Sequence, residues 1–176
     1  MALVLLTLLF VFSRYYKTSK LNTNNSMPAE RPILLLEKLK DSKNLEGFNI
    51  SVDSSTDYFI FNYWASWCPP CVEETPSLVR FTKSFPYKVQ MFAISQDSSA
   101  EDIQNFLKTF PVLRSESIQI VWDNGLTLAR VMNIEKLPET FIYNRKTNQI
   151  YQVSGATQWE DPNLKKQLAD FFKWPL

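Results

Sequence analysis

The chain of 176 residues contains no histidine, three glycines and two cysteines, and each shortage excludes a class of chemistry. Without histidine, a Ser-His-Asp or Cys-His nucleophilic site and a histidine metal site are excluded. The few glycines argue against a phosphate-binding loop, and no GxGxxG or GxxxxGK string occurs. Two cysteines are also too few for a scaffold held together by several disulfides.

An excess of charge of one sign is absent too, since 19 Lys and Arg stand against 18 Asp and Glu, a net charge of +1. The sequence shows no clustered basic charge of the kind that binds nucleic acids. A hydrophobic content of 45% and a charged content of 21% are those of an ordinary globular chain, and the length fits one domain. Any chemistry must therefore come from cysteine, carboxylates, lysine, tyrosine or serine.

An apolar run, Ala2 to Phe12, lies near the N-terminus, with Thr7 as its one polar residue. As a helix it would cover roughly 16 Å of a ~30 Å hydrocarbon core, so its length is closer to the apolar part of a signal sequence. No basic residue precedes the run, and no convincing cleavage site follows it. A true start further upstream would account for the missing basic residues. The basic residues behind it favour a cytoplasmic C-terminal part by the positive-inside rule. We expect a signal- or anchor-like segment over residues 1–16, with a soluble core helix as the alternative.

A polar linker is predicted over residues 17–32, followed by one folded domain over 33–176, in which strand and helix patterns alternate. The type of Ile33–Lys40 is left open between a short amphipathic helix and an extended piece. This alternation predicts an α/β layered structure with a largely parallel sheet that ends in a hairpin. Strands are expected at Tyr58–Trp64, Lys88–Ser95 and Ser117–Asp123 and in the hairpin Glu139–Ala156; helices are expected at Pro69–Ser84, Ser98–Phe110, Gly125–Ile134 and Asp161–Phe172.

The two cysteines lie in the string WCPPC, directly after the first of these strands. Pro69 and Pro70 suit the first positions of a helix, where a missing N–H is harmless. Cys68 then stands at the helix N-terminus, which stabilises a thiolate and lowers the pKa of the thiol. Cys71 lies one turn further in, within disulfide reach. We therefore predict Cys68 as the attacking thiol and the more buried Cys71 as the resolving thiol.

Other uses of the cysteine pair fit the sequence less well. A zinc site needs four ligands, and neither histidine nor further cysteine is available. A structural disulfide that closes so short a ring would constrain little of the unfolded chain. A copper-delivery site would need a histidine ligand, and the sequence has none. Reversible dithiol–disulfide chemistry is the favoured use, and it needs no cofactor because the electrons reside in the two thiols.

The string FNYWASWCPPC resembles the active-site segment of the thioredoxin superfamily, and its surroundings resemble the TlpA/ResA/CcmG (DsbE)-like thiol–disulfide oxidoreductases. Pro76 matches the proline that kinks the first active-site helix of that branch. Leu137–Thr140 matches a segment whose proline is cis beside the disulfide, and Gly155 and Trp159 match a later Gly-x-x-x-Trp. The resemblance implies a thioredoxin-like fold, with a central mixed sheet flanked by helices and a helix–strand insertion at Ser98–Asp123 before the cis-proline.

The resemblance also assigns roles to side chains near the cysteines. Where thioredoxin has a buried Asp this chain has Asn62, and the branch is similar to it in having Asn there and a Glu in the place of Glu74. Glu74 is predicted to exchange protons with the resolving thiol, the alternative being an acid that only favours the helix dipole. The predicted catalytic residues are Cys68, Cys71, Glu74 and Pro138, and the predicted substrate-binding residues are Trp67, Leu137 and Glu139.

The resemblance implies a reductant that exchanges thiols and disulfides with protein substrates outside the cytoplasm, in a periplasm or its equivalent. Its expected partners are a membrane dithiol transporter as electron donor and apocytochrome c as client, with the N-terminal segment in the membrane. Two alternatives stay open. One is a redox-silent module that binds peptides with the same fold; the other is a peroxidase of related fold, which would need an arginine near its cysteine, and the closest in sequence is Arg80.

Overall fold

A computed structural model describes residues 27–28, 30–45, 47 and 49–174 of the chain. The predicted segment 1–16 lies outside the described residues, as does most of the predicted linker, so both stay predictions. In chain order the described elements are α1 (Glu30–Lys40), β1 (Tyr58–Trp64), α2 (Pro69–Lys83), β2 (Val89–Ser95), α3 (Ala100–Thr109), a 3-10 turn (Pro111–Leu113), β3 (Ile118–Trp122), α4 (Thr127–Met132), β4 (Glu139–Asn144), β5 (Gln149–Ser154) and α5 (Pro162–Phe172).

The five strands form one mixed sheet in the order β3-β2-β1-β4-β5. The pairs β1–β2 and β2–β3 are parallel, whereas β1–β4 and β4–β5 are antiparallel. The mixed sheet implied by the family resemblance is confirmed, with β1, β2 and β3 parallel and the expected hairpin, β4–β5, at the end. The alternation did not predict that β4 joins β1 in the antiparallel direction. Alternation of strands and helices along the chain does not record in which direction a later strand joins the sheet.

The insertion predicted at Ser98–Asp123 contains α3, the 3-10 turn and β3. Strand β3 lies at the end of the sheet beside β2, so the insertion adds a helix and an outer strand as expected. The helix begins where the sequence predicts, because the Ser99 side chain accepts a hydrogen bond from the Asp102 N–H. Asp161 caps α5 in the same way, with Pro162 at the first helical position.

The sheet separates two apolar cores, because successive residues of a strand point to opposite faces. Helices α2, α3 and α5 pack on the face of β1 that carries Ile60 and Trp64. Helices α1 and α4 pack on the face that carries Phe59 and Phe61. The segment whose type the sequence left open is helical in α1, and Leu35, Leu36 and Leu39 bury one side of it. Within the described part of the chain, no helix has the length and apolar character needed to cross a membrane.

Candidate active site

The two cysteines form a disulfide across the first turn of α2, with their Cα atoms 5.3 Å apart. Cys68 is the N-cap residue, Pro69 and Pro70 open the helix, and the Cys71 N–H donates to the Cys68 carbonyl at 3.0 Å. The predicted placement of the pair at a helix N-terminus is therefore confirmed. In this disulfide form Cys68 is 4% exposed and Cys71 2%, so exposure hardly separates them. Their roles as attacking and resolving thiol stay predictions, which rest on their positions along the helix.

Glu74 lies one helical turn beyond Cys71 and is only 3% exposed. Its Oε2 accepts hydrogen bonds from the Thr157 backbone N–H at 3.1 Å and from the Trp159 indole N–H at 3.2 Å. Its Oε1 accepts from Asn62 Nδ2 at 3.3 Å. Burial raises the pKa of Glu74 to about 7, against the opposing effect of these three donors. A carboxyl with this pKa can both take up and release a proton near neutral pH.

We call Glu74 and the groups that bind its carboxyl the acid site, and two strands of the sheet contribute to it. Asn62 of β1 stands opposite Thr140 of β4, and its Nδ2 donates to Thr140 Oγ1 at 2.9 Å as well as to Glu74. An amide N–H₂ group has two protons and can serve both acceptors, whereas an aspartate there would place a second carboxylate against Glu74. The exchange of thioredoxin's Asp for Asn is thus physically matched to a buried acid on α2.

The peptide bond between Leu137 and Pro138 is cis, as predicted. Pro138 is buried, and its carbonyl accepts from the Gly155 N–H at 2.9 Å. Gly155 has a φ of 82°, in the region that favours glycine, which accounts for the first residue of the Gly-x-x-x-Trp motif. Leu137 and Cys68 line one groove, so the structure brings the cis-proline loop and the disulfide together. Direct contact between Pro138 and both sulfurs stays a prediction.

This groove has a volume of about 430 Å³ and runs beside the disulfide. Trp67 forms part of its wall with 65% of its side chain exposed, an unusual position for so large an aromatic group. Gln96 lines it as well, and Gln96 Nε2 is buried with no hydrogen-bond partner among the described residues. The remaining lining residues are Pro69, Pro70, Ile134, Glu135 and Lys136. The groove therefore offers apolar area and charged groups next to Cys68.

The structure places Glu139 differently from the other predicted substrate-binding residues. Its carboxylate is 4% exposed and accepts from Ser154 Oγ and, at 2.8 Å, from Gln152 Nε2. Burial raises its pKa. The carboxylate is thus engaged within the sheet rather than presented in the groove that Trp67 and Leu137 line. That Glu139 binds substrate stays a prediction.

The sequence did not predict that two further residues bind the Glu74 carboxyl. Thr157 and Trp159 both donate to Glu74, and the motif Gly-x-x-x-Trp was noted only as a resemblance. Trp159 is fully buried, which a tryptophan tolerates well when its indole N–H has an acceptor. The signal available in the sequence was the Gly-x-x-x-Trp spacing, which marks Trp159 but not its contact with Glu74.

Comparisons with known proteins agree with this geometry. Residues 56–150, more than half of the chain, match the Thioredoxin-like family. Sporulation thiol-disulfide oxidoreductase A of Bacillus subtilis is 29% identical over 112 residues, which cover 59% of this chain and 63% of that protein. Thiol-disulfide oxidoreductase ResA of Bacillus thuringiensis subsp. konkukian is 24% identical over 132 residues, covering 74% of this chain and 70% of the relative. The chain thus spans less than two thirds of the length of the first of these relatives.

The fold recurs in solved structures. A secreted Mycobacterium tuberculosis disulfide oxidoreductase, described as homologous to E. coli DsbE, superposes with a TM-score of 0.59 at 20% identity. The match covers 76% of this chain and 98% of that one. At this identity the likeness speaks for the fold alone. The family match and the named relatives confirm the resemblance to the TlpA/ResA/CcmG-like branch, and we conclude that this chain belongs to the Thioredoxin-like family.

Proposed function

We propose that the protein is a thiol–disulfide oxidoreductase that exchanges its Cys68–Cys71 pair with the thiols and disulfides of protein substrates. The observation that carries this proposal is the disulfide at the start of α2, with a groove on one side and a buried acid one turn away. The relatives are named thiol-disulfide oxidoreductases, which supports the same activity here.

In the reducing direction, the Cys68 thiolate attacks one sulfur of a substrate disulfide. A mixed disulfide forms, and the other substrate sulfur leaves as a thiolate. Cys71 then loses its proton and attacks the Cys68 sulfur, which breaks the mixed disulfide and releases the second substrate thiolate. Two electrons pass from the protein to the substrate, and the protein is left with the Cys68–Cys71 disulfide. Glu74 is suited to receive the Cys71 proton, because its pKa of about 7 lies close to the range in which thiols titrate.

A peptide segment is the substrate class that fits the groove best. The exposed indole of Trp67 offers a flat apolar surface to a bound chain. Leu137 precedes a proline and so stands at a point where the chain lacks one N–H. These features support a protein client over a small peroxide, which would need none of them.

The proposal extends to direction, location and partners. The apolar run at Ala2–Phe12 supports attachment to a membrane. We place the domain outside the cytoplasm because disulfides form and persist there, although the basic residues behind the run favour the opposite side. In that setting the protein acts as a reductant recharged by a membrane dithiol transporter, and the haem-binding cysteines of apocytochrome c are the proposed client. Fractionation of the full chain, with protease added from the outer side, tests the location; a domain protected with the cytoplasmic proteins would contradict it.

The test of the activity uses two matched variants. Cys71→Ser should accumulate mixed disulfides with substrates, because the resolving thiol is missing, while Cys68→Ser should accumulate few and lose insulin reduction. Equal trapping by both variants would contradict the assigned roles. Intact insulin reduction in either variant would contradict the assignment of exchange to the Cys68–Cys71 pair. A wild type without insulin reduction and without a measurable dithiol–disulfide couple would favour the redox-silent binding module, and rapid peroxide consumption would favour the peroxidase.

The direction of exchange is tested by the reduction potential of the Cys68–Cys71 pair in a glutathione buffer series. Proteins of related fold range from about −270 mV for reductants to about −120 mV for oxidants. A reductant requires a value near the lower end of this range. A value near the upper end would assign the protein to disulfide formation instead.

A further inference from the structure

A second buried carboxylate, that of Asp97, binds a residue just before Cys68 in the chain, whereas Glu74 lies just after the cysteine pair. Asp97 follows the end of β2 and is 1% exposed. Its Oδ1 accepts from the Ser66 backbone N–H at 3.0 Å and from Ser66 Oγ at 2.7 Å. Its Oδ2 accepts from the same N–H at 3.1 Å and from Ser95 Oγ at 2.7 Å. Three of these four hydrogen bonds hold one residue, Ser66.

Ser66 belongs to the turn that delivers the attacking cysteine. This turn is closed by a hydrogen bond from the Cys68 N–H to the Ala65 carbonyl at 3.2 Å. Ser66 and Trp67 are its two central residues, and Trp67 points outward into the groove. A backbone N–H in such a turn has no partner in a helix or strand, so the carboxylate supplies the bond that a buried N–H requires. Asp97 therefore holds the turn from its inner side.

Asp97 is itself fixed by the ends of three strands. Its N–H donates to Ser95 Oγ at 3.0 Å, and its carbonyl accepts from the Trp122 indole N–H at 2.7 Å. The preceding residue, Gln96, donates its N–H to the Trp64 carbonyl at 2.9 Å. The position of the carboxylate is thus set by β1, β2 and β3 together. A rigid support of this kind transmits the geometry of the sheet to the turn.

Asp123 provides an internal comparison. It follows the end of β3, as Asp97 follows that of β2, and it is 4% exposed. Its carboxylate accepts from the Leu128 N–H at 3.1 Å and the Ala129 N–H at 2.8 Å, so it holds the first turn of α4. Both acids bind backbone N–H groups beyond the sheet. Of the two, Asp97 holds the turn that ends at a cysteine.

We propose that Asp97 is a positioning residue for thiol–disulfide exchange, which fixes the Ala65–Cys68 turn and with it the Cys68 sulfur and the Trp67 wall of the groove. This inference rests on the proposed exchange activity. Displacement at sulfur requires the attacking, central and leaving sulfurs to lie close to one line. A misplacement of ~1 Å can cost up to ~100-fold in rate, so a loosened turn should slow exchange without altering the thiols themselves.

The test compares the rates at which reduced variants of the full chain reduce insulin, each corrected for its folded fraction. Asp97→Ala should slow reduction by ~10-fold or more, since the turn loses its support. Asp97→Asn should retain a rate within about threefold of wild type, because the amide oxygen still accepts from the Ser66 N–H and the serine hydroxyls can rotate to accept from its N–H₂ group. Asp123→Ala is the matched control and should reduce insulin at the wild-type rate.

The proposal is overturned if Asp97→Ala is as fast as wild type, if Asp97→Asn is as slow as Asp97→Ala, or if Asp123→Ala loses activity equally. If Asp97→Ala does not fold, Ser66→Ala and Ser95→Ala decide, since each removes one hydroxyl donor to the same carboxylate. Ser66→Ala must then be the slower, because only Ser66 belongs to the turn; equal rates reject the proposal. An inactive wild-type protein would instead reject the exchange activity itself.

Discussion

The two faces of strand β1 differ in kind, although their residues alternate along the same seven positions. On one face Phe59, Phe61 and Phe92 of β2 stack on one another at ring-centroid distances of 5.9–6.2 Å. On the other face Asn62 lies between apolar neighbours and binds the Glu74 carboxylate. One face thus consists of rings in contact, and the other contains a polar group that must find donors and acceptors.

This difference separates stability from chemistry. Burying the three phenylalanines is favourable in itself, because apolar area leaves water. Burying the Glu74 carboxyl is unfavourable in its charged form, and its three hydrogen bonds only partly offset that cost. We expect changes on the ring face to alter the free energy of unfolding alone, and changes on the polar face to alter how stability and exchange depend on pH.

The largest effect should come from Phe61→Ala on the ring face. Phe61 is fully buried, so its truncation leaves a cavity and should lower the free energy of unfolding by ~3–5 kcal/mol. Denaturant titration of the oxidised protein measures this loss, with Phe61→Leu as a milder control. The reduction potential of the Cys68–Cys71 pair should stay at the wild-type value. A shifted potential would show that the two faces are not independent.

The next effect concerns Glu74→Gln. Because folding raises the pKa of Glu74 from 4.5 to about 7, the folded state binds the proton more tightly than the unfolded state. The stability that this provides is fully present below pH 4.5 and is lost as the pH rises through 7. The glutamine variant has no such loss, so its stability relative to wild type should rise by about 3 kcal/mol between pH 4 and pH 8, on top of a pH-independent difference between the two side chains. Denaturation of the oxidised form across this pH range excludes titration of the cysteines.

The same variant sharpens the functional side of the comparison. If Glu74 receives the Cys71 proton, Glu74→Gln should also change the pH dependence of exchange, since carboxyl and thiol titrate together. Asp123→Asn is a suitable control, because burial raises the pKa of Asp123 as well but this acid binds α4. An exchange profile identical in wild type and Glu74→Gln would return Glu74 to the role of an acid near a helix N-terminus.

Much of this arrangement could be predicted because its determinants are local. The prolines of WCPPC place Cys68 at a helix start, Ser99 and Asp161 mark helix ends, and the run Tyr58–Trp64 predicts the central strand. Each depends on residues within one or two turns of the chain. The cis bond before Pro138 was predicted through resemblance, since an X-Pro bond is intrinsically almost as stable in cis.

The unpredicted parts depend on residues far apart in the chain. Trp159 reaches Glu74 across 85 positions, and Asp97 reaches Ser66 across 31. Periodicity carries no information about such pairs, which follow from strand order and register. The antiparallel direction of β4 could not be predicted from the strand and helix pattern for the same reason. The residue types of the acid site can therefore be identified from the sequence, but the contacts between them cannot.

The smallest expected effect, and the most specific, is that of Trp159→Phe. The substitution removes the indole N–H that donates to Glu74 Oε2 and leaves an aromatic ring in the core. Since this donor lowers the pKa of Glu74, its loss should raise the pKa further, by about one unit for a hydrogen bond to a charged group worth ~1.5 kcal/mol. The pH at which stability is lost should move up accordingly, in addition to a pH-independent cost of the smaller ring. In a Glu74→Gln background the pH-dependent part should vanish; if it persists, the indole acts on some other group.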